Sequence, residues 1–197
     1  MLRAFCLALF THTYLFNLQV YRILDNSPQK KSGKKKEELI SPSTTSSRKK
    51  RVVEVRNSAV HGKGVFATQD IPEGLKLLEY KGEIISWEEA QERHPHDPKQ
   101  PNHTFFFQRD DGMVIDGGSK GNAARWINHS CDPNCETQEK DGRIFVYALR
   151  NIAEGEELNY DYGLVLDGRH TKKVKAEYAC FCGSSKCRGT MLASKKR

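Results

Sequence analysis

Residues 118–136 read G-S-K-G-N-A-A-R-W-I-N-H-S-C-D-P-N-C-E, and the interpretation of the whole chain starts from them. Polar Asn128 and His129 follow the aromatic Trp126 closely, and Pro133-Asn134 predicts a turn. Two interpretations are open at this point. The stretch is either a loop whose short polar side chains satisfy its own backbone, or a site that carries chemistry. The rest of the chain has to decide between them.

Composition and charge narrow the class of protein. The chain has 197 residues, of which 37% are hydrophobic, with a net charge of +7. These values exclude a collagen, a coiled coil and a wholly disordered chain. The sequence has no run of 18 or more apolar residues, so it predicts no membrane-spanning helix. Residues 25–56 carry +6, whereas residues 57–197 sum to −1. One alternative is a nucleic-acid-binding zinc protein, but such a protein needs a basic face on its folded part. The near-neutral charge of residues 57–197, the body of the protein, favours a basic partner instead.

The N-terminal part of the chain divides into two segments. Residues 1–24 stay unassigned: the short apolar run Ala4–Phe10 weakly resembles a secretory signal, but no clear cleavage site follows it. A weakly amphipathic helix or a start codon placed too far upstream explains the run equally well. Residues 25–51 are rich in Lys, Ser, Thr and Pro, which predicts a basic disordered linker. Such a linker can contact DNA or nucleosomes nonspecifically, and its Arg48–Arg51 cluster is a weak nuclear signal.

From residue 52 the pattern is typical of a mostly β domain. The predicted strands are Val52–Arg56, Val65–Ala67, Leu75–Ile85, Thr104–Gln108, Met113–Ile115, Ile144–Leu149 and Glu157–Tyr162. Asp111-Gly112 and Asp141-Gly142 predict hairpin turns. A capping box at Ser86 predicts one short helix over residues 86–94. Residues 67–77 and 148–158 share the pattern A-x-x-x-I-x-E-G-x-x-L, which indicates two similar strand–turn–strand units.

The cysteines indicate a metal site. Three of the six, Cys180, Cys182 and Cys187, are spaced C-x-C-x4-C. Cysteines this close in sequence are better placed to bind one zinc ion than to form disulfides, and a tetrahedral site needs a fourth ligand. The spacing leaves Cys131 and Cys135 as candidates. Thiolate ligation favours a reducing, intracellular compartment.

Five motifs in order then identify a family resemblance. They are His61-Gly-Lys-Gly-Val-Phe-Ala67, Glu79-Tyr-Lys-Gly-Glu-Ile-Ile85, Gly121-Asn122 leading into Ala124–Asn134, Glu156-Glu-Leu-Asn-Tyr-Asp-Tyr-Gly163 and Cys180–Met191. Over residues 52–192 the chain resembles the SET-domain protein lysine methyltransferases with a post-SET zinc module. The resemblance implies a mostly β, β-clip-like SET fold: small sheets around a pseudo-knot, one short insert helix and a C-terminal zinc-bound tail. Residues 52–163 would be the catalytic domain and 164–197 the tail, with Cys131 as the fourth zinc ligand and Cys135 left as a thiol.

The same resemblance implies the reaction and its residues. The reaction is methyl transfer from S-adenosylmethionine to the ε-amine of a lysine, with structural zinc in the tail. Tyr162 would be the catalytic tyrosine. The cofactor would be bound by His61, Gly62, Lys63, Tyr80, Arg125, Trp126, Asn128, His129, Tyr178 and Phe181. Tyr160, Phe105 and Phe107 would line the substrate channel, and a tyrosine at position 160 predicts mono- or dimethylation. Trp126 departs from the family, which usually has Phe at that position.

The resemblance also implies partners and a compartment. The expected substrate is a lysine-containing basic segment similar to a histone tail, bound by the near-neutral body. The alternative is a non-catalytic SET-type module that binds peptide without transferring methyl. The expected location is the nucleus or chromosome if the source is eukaryotic, and the cytoplasm or a host cell if it is bacterial. The sequence predicts no oligomeric state.

Overall fold

A computed structural model describes residues 51–93, 104–166 and 169–193. These residues form a mostly β fold with short helical segments, as the family resemblance implies. The strands are β1 (Val53–Asn57), β2 (Lys63–Ala67), β3 (Lys76–Tyr80), β4 (Glu83–Ile85), β5 (Phe106–Gln108), β6 (Val114–Asp116), β7 (Asn128–His129), β8 (Cys135–Lys140), β9 (Arg143–Ala148) and β10 (Glu157–Tyr160). The helices are α1 (Trp87–Arg93) and α2 (Lys172–Glu177), with a 3-10 turn over Ala123–Trp126.

The strands form two sheets. The larger has seven strands in the order β1-β2-β10-β8-β9-β3, with β7 also paired to β10, and the smaller has the order β4-β6-β5. Val65, Ile127, Val146 and Leu158 are at most 1% exposed and belong to the core that the larger sheet covers. Period-two alternation is clear in β9, where Ile144, Val146 and Ala148 are buried, and β9 corresponds to one of the β-branched and aromatic runs of the sequence.

The two repeated sequence units lie against each other. Ile71 forms an antiparallel bridge with Ile152. The Gly74 N–H donates to Ala148 O at 2.8 Å, and in the equivalent position the Gly155 N–H donates to Ala67 O at 2.9 Å. The repeat therefore produces a locally symmetric pair of turns that joins the two halves of the domain.

Strand β10 is enclosed by the loop that joins β7 to β8. It pairs in parallel with both flanks of that loop, Tyr160 aligning with His129 on β7 and with Cys135 on β8. Strand β10 is also antiparallel to β2, through Glu157 and Leu158. Asn134, fully buried in the loop, donates to Glu157 O at 2.8 Å and accepts from the Asn159 N–H at 2.9 Å. This arrangement is the predicted pseudo-knot.

The C-terminal tail folds back onto the end of β10. Leu164 forms a parallel bridge with Leu192, and Ala179 forms an antiparallel bridge with Thr190. Leu164, Leu192 and Tyr178 bury their side chains together as a small apolar cluster. The tail is thus packed directly beside Tyr162, which contacts the same cluster.

The structure differs from the sequence-based predictions at three places in the fold. The predicted strand 75–85 is two strands, because β3 pairs in the larger sheet and β4 in the smaller one. A Cβ atom at Gly82, between them, would lie 2.3 Å from Asp116 O. Strand β8 and helix α2 carry no strong signal of their own and were not predicted. The capping prediction at Ser86 is confirmed, since its Oγ accepts from the Glu89 N–H at 3.1 Å. The predictions for residues 1–24 and 25–50 lie outside the described residues.

Candidate active site

A narrow aromatic channel opens between the two sheets. Its cavity of about 30 Å³ has room for two or three water-sized groups. The walls are formed by Tyr80, Thr104, Phe106, Phe107, Arg125, Tyr160 and Tyr162. The ring centroids of Tyr160 and Tyr162 are 5.1 Å apart, and those of Tyr80 and Phe107 are 5.3 Å apart. A cavity this narrow suits a slender, unbranched chain end and excludes a ring system.

Two tyrosine hydroxyls of the channel donate their protons to backbone carbonyls. Tyr162 Oη donates to Ile127 O at 2.8 Å, and Tyr80 Oη donates to Phe105 O at 2.7 Å. A phenolic hydroxyl has one proton and also accepts hydrogen bonds. Each oxygen is therefore held in place beside the cavity.

The backbone and ring of Tyr162 are positioned by His129. The Tyr162 N–H donates to His129 Nδ1 at 3.1 Å, and the two rings meet edge to face with centroids 5.3 Å apart. His129 is 6% exposed, and this burial lowers its pKa to about 4; the nearby Asp161 opposes the shift and Arg188 assists it. The imidazole is therefore neutral at pH 7 and accepts through Nδ1.

Asn128 ties strand β7 to the loop that precedes β2. Its Nδ2 donates to Glu157 Oε1 at 2.8 Å, to Lys63 O at 3.0 Å and to His61 O at 3.3 Å. Glu157 also accepts from Ser58 Oγ at 2.9 Å. A Cβ at Gly64 would lie 2.2 Å from Glu157 Oε1, so the glycine leaves room for this carboxylate.

A second group of rings and cations lies next to the channel. Phe105 meets Trp126 edge to face with centroids 4.9 Å apart. The Lys63 ammonium lies 4.9 Å from the centroid of the Trp126 ring, and the Arg125 guanidinium lies 4.8 Å from it. Phe105 therefore packs beside Trp126 and is not part of the channel wall, where its strand neighbour Phe106 lies instead.

Four cysteine sulfurs converge beside this site. The Sγ atoms of Cys131, Cys180, Cys182 and Cys187 all lie within 4.8 Å of one another, and those of Cys131 and Cys180 are 3.7 Å apart. In a tetrahedral site with Zn–S bonds of about 2.3 Å the sulfurs are about 3.8 Å apart. Burial acts to raise the pKa of Cys182, but hydrogen bonds from the backbone N–H groups of Cys131 and Ser184 outweigh it and lower the pKa to about 6. The donor set and its spacing fit a metal ion.

An ion pair connects the cysteine cluster to the segment that follows β10. Arg188, directly after Cys187, donates from Nη1 to Asp161 Oδ2 at 2.7 Å and from Nη2 to Asp161 Oδ1 at 2.8 Å. The Arg188 backbone N–H donates to Cys131 Sγ at 3.4 Å. Asp161 lies between Tyr160 and Tyr162, so one arginine contacts both the cysteine cluster and the segment that supplies the channel tyrosines.

The structure brings most of the predicted site residues together, but in two groups. Tyr80, Arg125, Tyr160, Tyr162 and Phe107 meet at the channel. Asn128, His129, Lys63 and Trp126 lie behind it through the contacts given above, while Tyr178 is buried in the tail cluster. Gly62 has a φ of +49° in an exposed turn with His61, and the Phe181 side chain is 79% exposed.

Sequence reasoning did not find four of the residues that build the site. Phe106 and Thr104 line the channel, and Asp161 pairs with Arg188. Local sequence carries no signal for the ion pair, because its partners are 27 residues apart.

Among the residues that the structure describes, no helix has the length and apolar character needed to span a bilayer.

Comparisons with known proteins agree with this geometry. Residues 62–163 match the family described as "SET domain". The chain is 38% identical over 143 residues to histone-lysine N-methyltransferase trithorax of Drosophila virilis, covering 71% of this chain and 4% of that protein. It is 37% identical over 143 residues to histone-lysine N-methyltransferase 2B of Homo sapiens, covering 71% and 5%. It is 39% identical over 140 residues to histone-lysine N-methyltransferase ASHH2 of Arabidopsis thaliana, covering 67% and 8%.

A solved structure is also similar. The structure described as "crystal structure of KRYPTONITE in complex with mCHG DNA and SAH" superposes with a TM-score of 0.57 at 34% identity, covering 71% of this chain and 29% of that one. The fold and channel define a mostly β domain with a threaded C-terminal segment. The chain belongs to the SET domain family. It spans only 4 to 8% of the length of the three relatives described above.

Proposed function

We propose that this chain is a protein-lysine N-methyltransferase that transfers a methyl group from S-adenosylmethionine to the ε-amine of a lysine in a histone-tail-like segment. The observation that carries the proposal is the narrow aromatic channel, which contains an oriented tyrosine oxygen in a SET domain. The relatives are named histone-lysine N-methyltransferases, and the similar solved structure is described with SAH bound.

The channel acts on the substrate before any bond changes. A lysine ammonium has an ordinary pKa of about 10.4 and cannot attack a methyl group until it loses its proton. Walls of Tyr, Phe and Thr side chains offer little solvation to the charged form, which favours the neutral amine. The narrow cross-section also restricts the amine to one line of approach, which supplies catalysis through orientation.

Tyr162 is the proposed catalytic residue. Its hydroxyl donates to Ile127 O, which orients the phenolic oxygen. A phenolic oxygen can also accept hydrogen bonds, and we assign to it acceptance from the incoming amine, which holds the amine nitrogen in the attacking direction. His129 fixes the Tyr162 backbone through Nδ1 and acts as a positioning residue.

The proposed cofactor side lies behind the channel. S-adenosylmethionine supplies an electrophilic methyl group on a positively charged sulfur when it is bound. The carbonyls of His61 and Lys63 lie together there beside Asn128, with the turn at Gly62 allowing close approach. We assign Trp126, Arg125 and Tyr80 to the inner wall and Tyr178 and Phe181 to the tail side, where the exposed Phe181 ring provides an apolar cover.

Tyr160 is proposed to limit the product to mono- or dimethyllysine. Its ring packs 5.1 Å from that of Tyr162 and is buried in the channel wall. We infer that the hydroxyl holds a water molecule in the space that an added methyl group would need. A Tyr160→Phe variant is expected to raise the trimethyllysine fraction.

We assign a structural zinc ion to Cys131, Cys180, Cys182 and Cys187, whose sulfur spacing fits tetrahedral coordination. Elemental analysis of the purified chain is expected to find one zinc per chain. Cys131→Ser is expected to lower this content, whereas the control Cys135→Ala is expected to retain it, because Cys135 is buried in β8 outside the cluster.

The activity is tested by incubating the purified chain with isotope-labelled S-adenosylmethionine and core histones. Lysine products are identified by mass spectrometry for the wild type, for Tyr162→Phe and for the matched control Tyr147→Phe. Tyr147 lies on β9, where its hydroxyl accepts from Lys140 Nζ at 2.9 Å, and it does not line the channel. Tyr162→Phe is expected to lower the rate by about 100-fold or more through loss of alignment.

The outcomes separate the candidate functions. Methyl transfer by the wild type and by Tyr147→Phe, but not by Tyr162→Phe, supports the proposal. Equal loss in both variants contradicts the role of Tyr162. A folded wild-type protein that binds S-adenosylmethionine yet transfers methyl to no protein, in histones or in a cell extract, indicates the alternative SET-type peptide-binding module.

Chromatin is the proposed setting of the reaction. The near-neutral body suits a basic histone segment, and residues 25–51 are proposed to contact the DNA backbone through their Lys and Arg side chains. In a eukaryotic source this places the protein in the nucleus. Deleting residues 25–51 is expected to weaken nucleosome binding and to flatten its salt dependence; unchanged affinity would contradict this contact.

A further inference from the structure

Arg125 lines the channel, and among the residues that the structure describes no carboxylate forms an ion pair with it. Among the described residues its contacts are a hydrogen bond from Nη1 to Gly117 O at 3.0 Å and the faces of Trp126 and Phe105, at 4.8 and 5.6 Å from the ring centroids. Its Nε is buried without a hydrogen-bond partner. No carboxylate of the described residues therefore balances the guanidinium charge, and Arg125 lines a cavity of about 30 Å³.

Arg109 provides the internal comparison. Its Nε is also buried without a partner. However, its charge is balanced by Asp111 Oδ2 at 2.7 Å from Nη2 and by Glu139 Oε1 at 3.9 Å from Nε. Arg109 follows β5 directly, but it does not line the channel. The two arginines thus differ in the properties that matter here: Arg125 lines the cavity and has no carboxylate partner among the described residues, whereas Arg109 is paired and lies outside the lining.

We propose that Arg125 promotes loss of the proton from the target lysine, because its unneutralised guanidinium disfavours the ammonium form in the channel. This inference rests on the proposed methyltransferase function and deepens it. Like charges a few ångströms apart in a poorly solvated site disfavour each other's charged state. The released proton passes to solvent water, and the neutral amine keeps the lone pair needed for attack. Arginine suits the task because it stays protonated throughout the relevant pH range.

Among the described side chains around the channel, the other charged and titratable groups do not supply this effect. The hydroxyls of Tyr80, Tyr160 and Tyr162 carry no positive charge in either protonation state. Behind Tyr162, Asp161 is paired with Arg188, and the buried His129 accepts from the Tyr162 N–H. On β6 the carboxylate of Asp116 is paired with Arg93 at 2.7 Å. The Lys63 ammonium lies on the Trp126 ring and not in the channel wall. Arg125 is thus the charged member of the lining described above.

The test is the pH dependence of methyl transfer at saturating S-adenosylmethionine for the wild type, Arg125→Met, Arg125→Lys and the control Arg109→Met. In Arg125→Met, the acidic limb of the profile, where the rate rises with pH, is expected to move to higher pH by about one unit. Arg125→Lys is expected to keep the limb within a few tenths of a unit even if its rate falls. Arg109→Met is expected to leave the limb in place whatever it does to stability, since a purely structural loss lowers the whole profile without moving it.

A binding measurement tests the inference without turnover. Calorimetry compares a histone peptide that carries the unmodified target lysine with the same peptide carrying norleucine, between pH 6 and 9. The affinity for the lysine peptide relative to the norleucine peptide is expected to rise with pH. This rise is expected at a lower pH in the wild type than in Arg125→Met. A wild-type enzyme that methylates histones while all four proteins share one acidic limb would overturn the role of Arg125 and leave the methyltransferase proposal standing. A wild type without any methyl transfer would instead contradict the proposed function itself.

Discussion

The ion pair between Arg188 and Asp161 is expected to hold the C-terminal tail against the channel, and Arg188→Met tests this. The pair is bidentate, with N–O distances of 2.7 and 2.8 Å, and its side chains are 25% and 36% exposed. Exposed pairs contribute about 0–1 kcal/mol, and breaking buried pairs costs about 3–5 kcal/mol. The half-buried position therefore predicts a loss of about 2 kcal/mol in the free energy of unfolding.

The assay is urea unfolding of the zinc-loaded chain, followed by fluorescence. With a slope of about 2 kcal/mol per molar urea, the midpoint is expected to fall by about 1 M. Zinc release to a colorimetric chelator is expected to become faster as well, since Arg188 is adjacent to Cys187 and its N–H donates to Cys131 Sγ.

Lys186→Met is the matched control for this prediction. Lys186 also connects the tail to the loop between β7 and β8, through one contact to Asp132 at 3.0 Å, but the two side chains are 72% and 46% exposed. Its loss is expected to cost at most about 1 kcal/mol. If the two variants unfold at the same urea concentration and release zinc at the same rate, the bidentate pair does not hold the tail.

Three further predictions concern the framework around the site. Gly121→Ala is expected to destabilise the fold by more than about 2 kcal/mol in urea unfolding, because the added Cβ would lie 1.9 Å from Gly117 O; a wild-type midpoint would contradict this. Burial raises the pKa of the Cys135 thiol to about 12, so mass spectrometry after iodoacetamide treatment at pH 8 is expected to find Cys135 unmodified in the native chain and modified in urea. Burial acts to raise the pKa of Glu156, but hydrogen bonds from Arg150 and Asn134 outweigh it and lower the pKa below the ordinary 4.5. Glu156→Gln is therefore expected to lose more stability in urea unfolding at pH 7 than at pH 3. An equal loss at both pH values would contradict the reasoning.

The direction of the Glu156 effect follows from proton linkage. A carboxyl group whose pKa is lower in the folded state than in the unfolded state binds fewer protons when folded. Its contribution to stability is complete above the unfolded pKa and is lost as the pH falls through the folded value. The comparison of pH 7 with pH 3 therefore spans the interval in which the contribution declines.

Local features of the fold could be predicted where a short stretch decides the backbone. Asp141 and Gly142 both have positive φ, at 51° and 68°, as the hairpin between β8 and β9 requires. Strand β8 itself was missed because Cys135–Lys140 alternates weakly and is polar at most positions. Its strand conformation comes from pairing with β9 on one side and with β10 at Cys135.

The choice between two cysteines shows where sequence reasoning needed the fold. The C-x-C-x4-C spacing called for a fourth ligand, and both Cys131 and Cys135 lie near the same motif. The tertiary structure places Cys131 Sγ 3.7 Å from Cys180 Sγ, whereas Cys135 is turned into the core at 1% exposure. The two cysteines are only four residues apart but have different environments, because strand β8 begins at Cys135 and directs its side chain inward.

The amino-acid sequence by itself determined the chemistry available to this protein: thiols spaced for a metal, tyrosines spaced for a channel wall, and glycines at the turns. These are short-range properties, which depend on residue type and on the conformations of a few neighbouring residues. Only the tertiary structure decided that Arg188 meets Asp161, that Arg125 lines the channel with no carboxylate partner among the described residues, and that Phe106 lines the channel while Phe105 packs on Trp126. The paired residues are far apart in the chain, 27 positions for Asp161 and Arg188 and 21 for Phe105 and Trp126, so no local sequence signal marks their meeting.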